Sequence, residues 1–291
     1  MEAYIFNLLN LIAIYGILAV SLNFIIGYAG IYSLAHAVFF GLGAYTSAWV
    51  GLNVTPSTFV TIPAAMLAAA VVSLVLALPA LRVRGEYFVA ASLGLQVIAV
   101  TIFSEWKSFT GGIGGVLAIP PVTLFGAEIY RPKEFAIVSL VALILVIAVT
   151  LALVRSSFGR NLRAIRDSES AAASFGKNVP LIKTVAVVIS AALAAVAGAL
   201  YASFISFINV ESFMLDTSVL LMAMVIIGGT GTFLGPLVGA AILLILPSAI
   251  SYLSFLPQTE IGALQQIIYG LGMTLLMIFR PGGIVGRRSG A

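Results

Sequence analysis

Stretches of about twenty consecutive apolar residues recur along the whole chain, near 3–26, 30–52, 56–81, 87–103, 135–154, 184–208, 214–231, 235–256 and 262–279. Each is about as long as a helix must be to cross a ~30 Å hydrocarbon core. The runs are continuously apolar rather than alternating, which excludes a β-barrel. Composition agrees, because 62% of the 291 residues are hydrophobic and only 8% are charged, against roughly 25% charged in a soluble domain. So few charges cannot cover a water-soluble globule, and they exclude a disordered chain or a nucleic-acid binder. The expected class is an all-α polytopic membrane protein, with residues 1–291 forming one transmembrane domain. There is no Cys, which removes disulfides, thiolate metal sites and cysteine nucleophiles. Glu2 stands where a signal peptide would be basic, so no cleaved leader is expected.

Charge placement orients the spans. Arg82 and Arg84 share one short loop. Arg155, Arg160, Arg163, Arg166, Lys177 and Lys183 fall in another, at 155–183, and Arg280, Arg287 and Arg288 form the tail. These three stretches are expected on the cytoplasmic side. The loop 104–134 is balanced, and the turns carrying Glu211, Asp216 and Glu260 are acidic; these are expected outside. Nine spans satisfy every assignment from residue 56 onward and put residue 1 outside. The stretch 27–53 is rich in Gly and small polar residues, as a broken helix would be. Two short crossings there would make ten spans with both ends inside, and hydropathy leaves both counts standing.

Every acidic residue falls in a loop or at a span end, and no Asp, Glu, Lys or Arg sits near the middle of an expected span. Proton-driven carriers need such groups within the membrane, so an energy source on another chain is expected. No phosphate-cradling G-x-x-x-x-G-K-[ST] loop is present. The nearest glycine-rich stretch, Gly228-Gly229-Thr230-Gly231-Thr232, lacks a Lys. Gly231, Gly235 and Gly239 are spaced four apart, as in close helix packing, so the stretch reads either as a packing face or as a turn lining a pathway. The lone histidine, His36, has no acidic neighbour in sequence and makes no metal site. It is either an imidazole bonded across helices or a polar group of a pathway.

The segment 155–183 is the richest in local signals. Residues 159–166 leave the membrane as a basic helix with Arg160, Arg163 and Arg166 on a broad face. Asp167 or Ser168 can cap a short helix from Glu169 to Phe175, Gly176 stands where a glycine ends it, and Pro180 opens the next helix. The result is an amphipathic element on the cytoplasmic surface. It reads either as a headgroup contact or, with small Ala171, Ala172 and Ala173 on its side, as a knob that docks into a soluble partner.

At this point the sequence resembles a known family. Arg163-Ala164-Ile165-Arg166-Asp167-Ser168-Glu169-Ser170-Ala171-Ala172-Ala173-Ser174-Phe175-Gly176 resembles the coupling segment of ABC-importer permeases. More specifically it resembles the M-type membrane subunits of branched-chain amino acid importers. Gly27-Tyr28-Ala29-Gly30, Ser33-Leu34-Ala35-His36-Ala37 and Phe40-Gly41-Leu42-Gly43-Ala44-Tyr45 are similar to the family's first signature. Leu81 to Phe88 is similar to its second, Thr110-Gly111-Gly112 to an outward loop, and Gly228 to Thr232 with Gly235-Pro236 to the C-terminal one. Ala35, Ser170 and Ala90-Ala91-Ser92 depart from the usual pattern.

The resemblance covers nearly the whole chain and implies a type II importer-like permease, commonly of ten helices in two pseudo-symmetric halves. It implies no catalysis and no bound cofactor or metal on this chain, with ATP and Mg held by two separate ATP-binding subunits. It also implies a second homologous permease, an extracytoplasmic solute-binding protein, surrounding lipid, and a place in the inner membrane of a prokaryote. Arg160, Arg163, Arg166, Asp167, Glu169, Ala172 and Gly176 are then the ATPase-coupling residues. Ser33, His36, Gly41, Gly43, Tyr45, Thr110, Gly111, Gly112, Gly228, Gly229 and Gly231 are the pathway candidates. The expected solute is a branched-chain amino acid. The rivals are urea, an amide or an aromatic acid within the same family, a stand-alone secondary carrier, and a lipid-binding structural protein.

Overall fold

The structure, a computed structural model, describes residues 2–80, 86–124, 126–251, 261–279 and 282–285. The basic residues Arg82, Arg84, Arg280, Arg287 and Arg288, acidic Glu260 and most of the second signature lie outside the described residues.

In chain order the elements are α1 (Glu2–Ala29), α2 (His36–Asn53), α3 (Thr58–Ala80), α4 (Glu86–Glu105), α5 (Lys107–Thr110), β1 (Val116–Leu117), β2 (Val122–Leu124), β3 (Ala127–Ile129), α6 (Pro132–Arg155), α7 (Ser157–Asp167), α8 (Glu169–Ser174), α9 (Val179–Ile205), β4 (Phe207–Ile208), α10 (Leu215–Gly228), α11 (Gly235–Ser251) and α12 (Ile261–Phe279). The helical expectation holds. Among the described residues the strands form two short ribbons, β1 with β4 and β2 with β3, both antiparallel.

Among the described residues four helices, within α1, α4, α6 and α9, are long and apolar enough to cross a membrane by length and composition. Most of α1 and α9 is enclosed by the rest of the chain, whereas α4 and α6 are largely exposed. The two enclosed helices run antiparallel. Asn10, near the start of α1, donates to the Pro132 carbonyl at the start of α6, and Gly27, near its end, meets Arg166. The start of α9 lies at the Arg166 end, where Val179 packs with Ile165 and Ala172. The molecule therefore has a basic end, the one its arginines lead one to expect on the cytoplasmic side, and an opposite end, called outer below.

Small residues let backbones touch. A Cβ on Gly43 would lie 2.5 Å from the Ala195 carbonyl, and one on Gly198 would lie 2.2 Å from that of Phe40, so α2 and α9 meet without side chains between them. The expected packing role of the Gly231, Gly235 and Gly239 series is partly of this kind. A Cβ on Gly228 would stand 1.9 Å from the Gly235 carbonyl, and one on Gly239 would stand 1.9 Å from that of Met224, so α10 and α11 cross at van der Waals contact of their main chains.

The broken-helix expectation for 27–53 is corrected in form. Gly30, at φ +68, turns the chain. Residues 31–35 run irregularly, and a single unbroken helix starts only at His36. There is one helix in that stretch, not two crossings.

Candidate functional site

The expected site residues gather at three levels rather than in one place. The lowest is a junction at the basic end. The Asn23 side chain of α1 accepts from Gly231 N (2.8 Å) and donates to the Thr232 carbonyl (2.8 Å), as a second strand would. Gly27 lies directly under Gly231, whose nitrogen would be 2.3 Å from a Cβ there. Tyr28 packs on Phe233 with ring centroids 6.0 Å apart. Gly229 and Gly231 have φ of +123 and +73, backbone that L side chains rarely adopt.

The third partner comes from the coupling segment. Arg166, at the end of α7, donates from Nη1 to the Gly27 carbonyl at 2.7 Å. Its Nε and Nη2 fork onto Asp167 Oδ1 at 3.2 and 3.1 Å. Its stem lies over Gly30, where a Cβ would be 2.9 Å from Arg166 Cγ. The last four carbonyls of a helix have no partner within the helix, and a cation is favoured at that end; Arg166 supplies both to α1. Arg163 does the same for α6, donating to the Val154 carbonyl at 3.1 Å. Arg160 reaches the Arg155 carbonyl at 3.5 Å from an exposed position. All three arginines are exposed on α7, opposite buried Leu162 and Ile165, while their guanidinium groups reach back to helix-end carbonyls.

The short helix forms as its sequence demands. Ser156 caps α7, Ser168 caps α8 and Asn178 caps α9, each accepting a backbone N–H. Gly176 ends α8 region with φ +74 and open space around it. Glu169 pairs with Lys183 at 2.7 Å. Of the three alanines expected to fill a partner's socket, Ala172 is corrected. It is buried against Ile165 and Val179 of its own chain, because its side of the helix is the one facing α7 and α9. Ala171, Ala173 and, above all, Phe175 (84% exposed) face outward.

The middle level holds Ser33 and His36. His36 Nε2 lies 2.8 Å from Ser21 Oγ. That hydroxyl donates its one proton to the Leu18 carbonyl, so Nε2 must carry the proton and donate. His36 Nδ1 has no partner among the described residues. Ser21 lies eight residues before the end of α1, about 12 Å above it at ~1.5 Å per residue. Hence α2 starts well inside the molecule. Its neighbour across the gap is α10, which also starts inside: the Ala37 N–H donates to Ser218 Oγ at 3.0 Å. Gln96 of α4 joins them, donating to the Phe213 carbonyl at 2.7 Å and accepting from Ser218 at 3.5 Å. Ser92 accepts from Leu34 N (2.9 Å), Ser33 from Ala35 N (3.3 Å), and Ser190 donates to the Ser21 carbonyl (2.6 Å). Two helices thus begin nose to nose at one depth, entering from opposite faces.

Gly41 and Tyr45 lie above this level. Gly41 is crowded by the Phe103 and Phe213 rings, and Tyr45 is fully buried among the same two rings. Thr110, Gly111 and Gly112 form the third level, a turn at the outer end. Thr110 Oγ1 lies 2.6 and 2.7 Å from the Phe103 and Trp106 carbonyls and accepts from Gly112 N. Nearby, exposed Tyr130 donates to the Glu128 carboxylate, which pushes the phenol pKa upward.

Sequence reasoning missed Asn10, Ser21, Asn23, Gln96, Ser190 and Ser218. The signal existed for three of them, since an amide inside an apolar run (Asn10, Asn23, Gln96) needs an internal partner. Among the described residues no group of acidic or His side chains is placed to hold a metal.

This architecture, apolar helices with a capped basic knob tied into a glycine junction, is that of a membrane permease, and the comparisons agree. A family model described as the permease component of branched-chain amino acid transport systems matches residues 4–279. The chain belongs to that family. It is 32% identical to the high-affinity branched-chain amino acid transport system permease protein LivM of Escherichia coli, over 96% of this chain and 69% of that protein. The Salmonella typhimurium LivM is also 32% identical, over 94% of this chain and 68% of its own length. A probable LivM of Methanocaldococcus jannaschii is 23% identical over 94% and 90%. No solved structure matches.

Proposed function

We propose that this chain is the membrane-spanning permease subunit of an ATP-driven importer of branched-chain amino acids. It forms the translocation pathway with a second permease of similar size. Two ATP-binding subunits, holding ATP and Mg, dock on α7 and α8, and an extracytoplasmic binding protein delivers the solute. The place is the cytoplasmic membrane of a prokaryote. Nine passages, α1–α4, α6 and α9–α12, with residue 1 outside, fit the helix directions, while α5, α7 and α8 lie at the faces.

The observation that carries this reading is Arg166. It links the knob to the end of α1 and lies beside the Gly231 turn, so a push on the knob reaches the only place where 229–232 and α1 are pinned together by Asn23. Such a contact biases the access states only by its different strength in each. The test is purification of the tagged chain in mild detergent, identification of its companions, and reconstitution into vesicles. Leucine uptake should require ATP and the binding protein. Arg166→Gln should assemble normally but lower uptake per ATP hydrolysed about tenfold, the effect of one charge-assisted hydrogen bond of roughly 1.5–3 kcal/mol. Purification of the chain alone, with ATP-independent uptake, would replace this reading with a self-sufficient carrier.

A further inference from the structure

Asp216 was expected in an outward-facing acidic turn, and Glu211 does lie near the outer ribbon formed by β1 and β4. Asp216 does not. It stands in the first turn of α10, two residues from Ser218, which bonds Ala37 next to His36. Counting up α1 to Ser21 and then on to Asp216 gives about 15 Å from the basic end at ~1.5 Å per residue. Counting up α10 from Gly228, at the junction, gives about 18 Å. Both counts put the carboxylate near the middle of a ~30 Å hydrocarbon core.

At that depth Asp216 is exposed and has no hydrogen bond or ion pair among the described residues. The sequence offers it none nearby, since no Lys, Arg or His occurs from 184 to 279. A lone carboxylate facing lipid at the bilayer centre is strongly disfavoured, and such groups face the bundle interior or a water-filled cavity. Beside Asp216 is a hollow of about 480 Å³ between α10, α11 and α12. Thr217, Gln266 and Tyr269 give it polar groups, and Leu243, Leu244 and Met273 give it an apolar wall. Pro247, inside α11, cannot donate to the Leu243 carbonyl one turn back, and the Tyr269 hydroxyl takes that acceptor at 3.4 Å. The hollow is thus finished with hydrogen-bonding groups on a helix face that would otherwise meet lipid.

We propose that this hollow is a stretch of a water-filled passage half-way across the bilayer, and that the Asp216 carboxylate there accepts the ammonium group of a zwitterionic solute. The proposal rests on the transport reading and names the groups that would serve it. Asp216 takes the positive end, the Gln266 amide is placed for the negative end, and Leu243 and Met273 face an aliphatic side chain.

The absence of Cys makes the test direct. In the assembled complex, Gly270→Cys puts one thiol in the hollow, where nothing lies within 4 Å of a Cβ. Ile144→Cys puts one on the exposed face of α6 at similar depth. Membrane-impermeant methanethiosulfonates, one cationic and one anionic, are then applied. The expected result is reaction at 270 and none at 144, with the cationic reagent favoured about tenfold by the local field, and that preference lost on adding Asp216→Asn. No reaction at 270, equal reaction at 144, or a preference that survives Asp216→Asn overturns the proposal. These rates need no turnover, so they stand apart from the transport reading, which fails instead if the unmodified complex shows no ATP-driven uptake. Where uptake is present, Asp216→Asn should lower uptake per ATP about tenfold and Asp216→Glu should restore most of it. Equal uptake by the Asn variant and the parent would rule out the ammonium role.

Discussion

The junction at the basic end and the meeting of α2 with α10 at mid-depth are both places where the two enclosed halves of the chain touch, but they are built differently. The junction is a main-chain contact. Gly27, Gly228 and Gly235 leave no room for side chains, Gly231 is held at positive φ, and Asn23 and Arg166 stitch the exposed backbone groups. The mid-depth contact is made by polar side chains in two sets, Ser218 with Ala37 N and Gln96, and His36 with the Ser21 hydroxyl of α1. A main-chain contact is stiff, because packed backbones have few alternative arrangements. Polar side chains can exchange partners without moving a helix. In the proposed importer the stiff junction is the part that would transmit force, and the mid-level the part that would rearrange.

Three substitutions sharpen or break that contrast. Gly228→Val should have the largest effect. Its Cβ would stand 1.9 Å from the Gly235 carbonyl, a clash with backbone costing more than about 3 kcal/mol, so little folded protein should be recovered from membranes. Normal yield would mean that α10 and α11 can part, and the junction would lose its claim to stiffness. Asn23→Ala leaves Gly231 N and the Thr232 carbonyl without their partner. A loss of about 2–4 kcal/mol follows from roughly 1–2 for each abandoned group, read as earlier thermal aggregation in detergent. Ser218→Ala should cost least, about 1 kcal/mol, because it abandons one ordinary bond, from Ala37 N, while its contact to Gln96 is a long 3.5 Å and Gln96 keeps its bond to the Phe213 carbonyl. If it proved costlier than Asn23→Ala, the mid-level would be the rigid part and the assignment would reverse.

The glycine turns, the helix signals at Ser168, Gly176 and Pro180, and the basic character of 155–183 were readable because each depends on a few adjacent residues. The pathway candidates were less so. Gly41, Gly43 and Tyr45 are packed into helix and ring contacts, and Thr110 to Gly112 form an outer turn, so the pathway candidates from three separate signatures are spread over three depths. Ala172 had the right helix but the wrong face, since a six-residue helix has no periodicity long enough to say which side is covered.

The sequence alone determined the class of solvent, the helical state, the basic end and the short capped knob, all of which follow from local composition and spacing. Only the tertiary structure decided depth. An acidic residue next to a loop looks exposed to water in one dimension, yet Asp216 stands at the level of His36, well inside the molecule's length, because the segment before α10 runs inward and ties to Gln96 through the Phe213 carbonyl. Depth depends on contacts between residues more than a hundred positions apart, Ala37 with Ser218 and Gly27 with Arg166, and no local pattern encodes those.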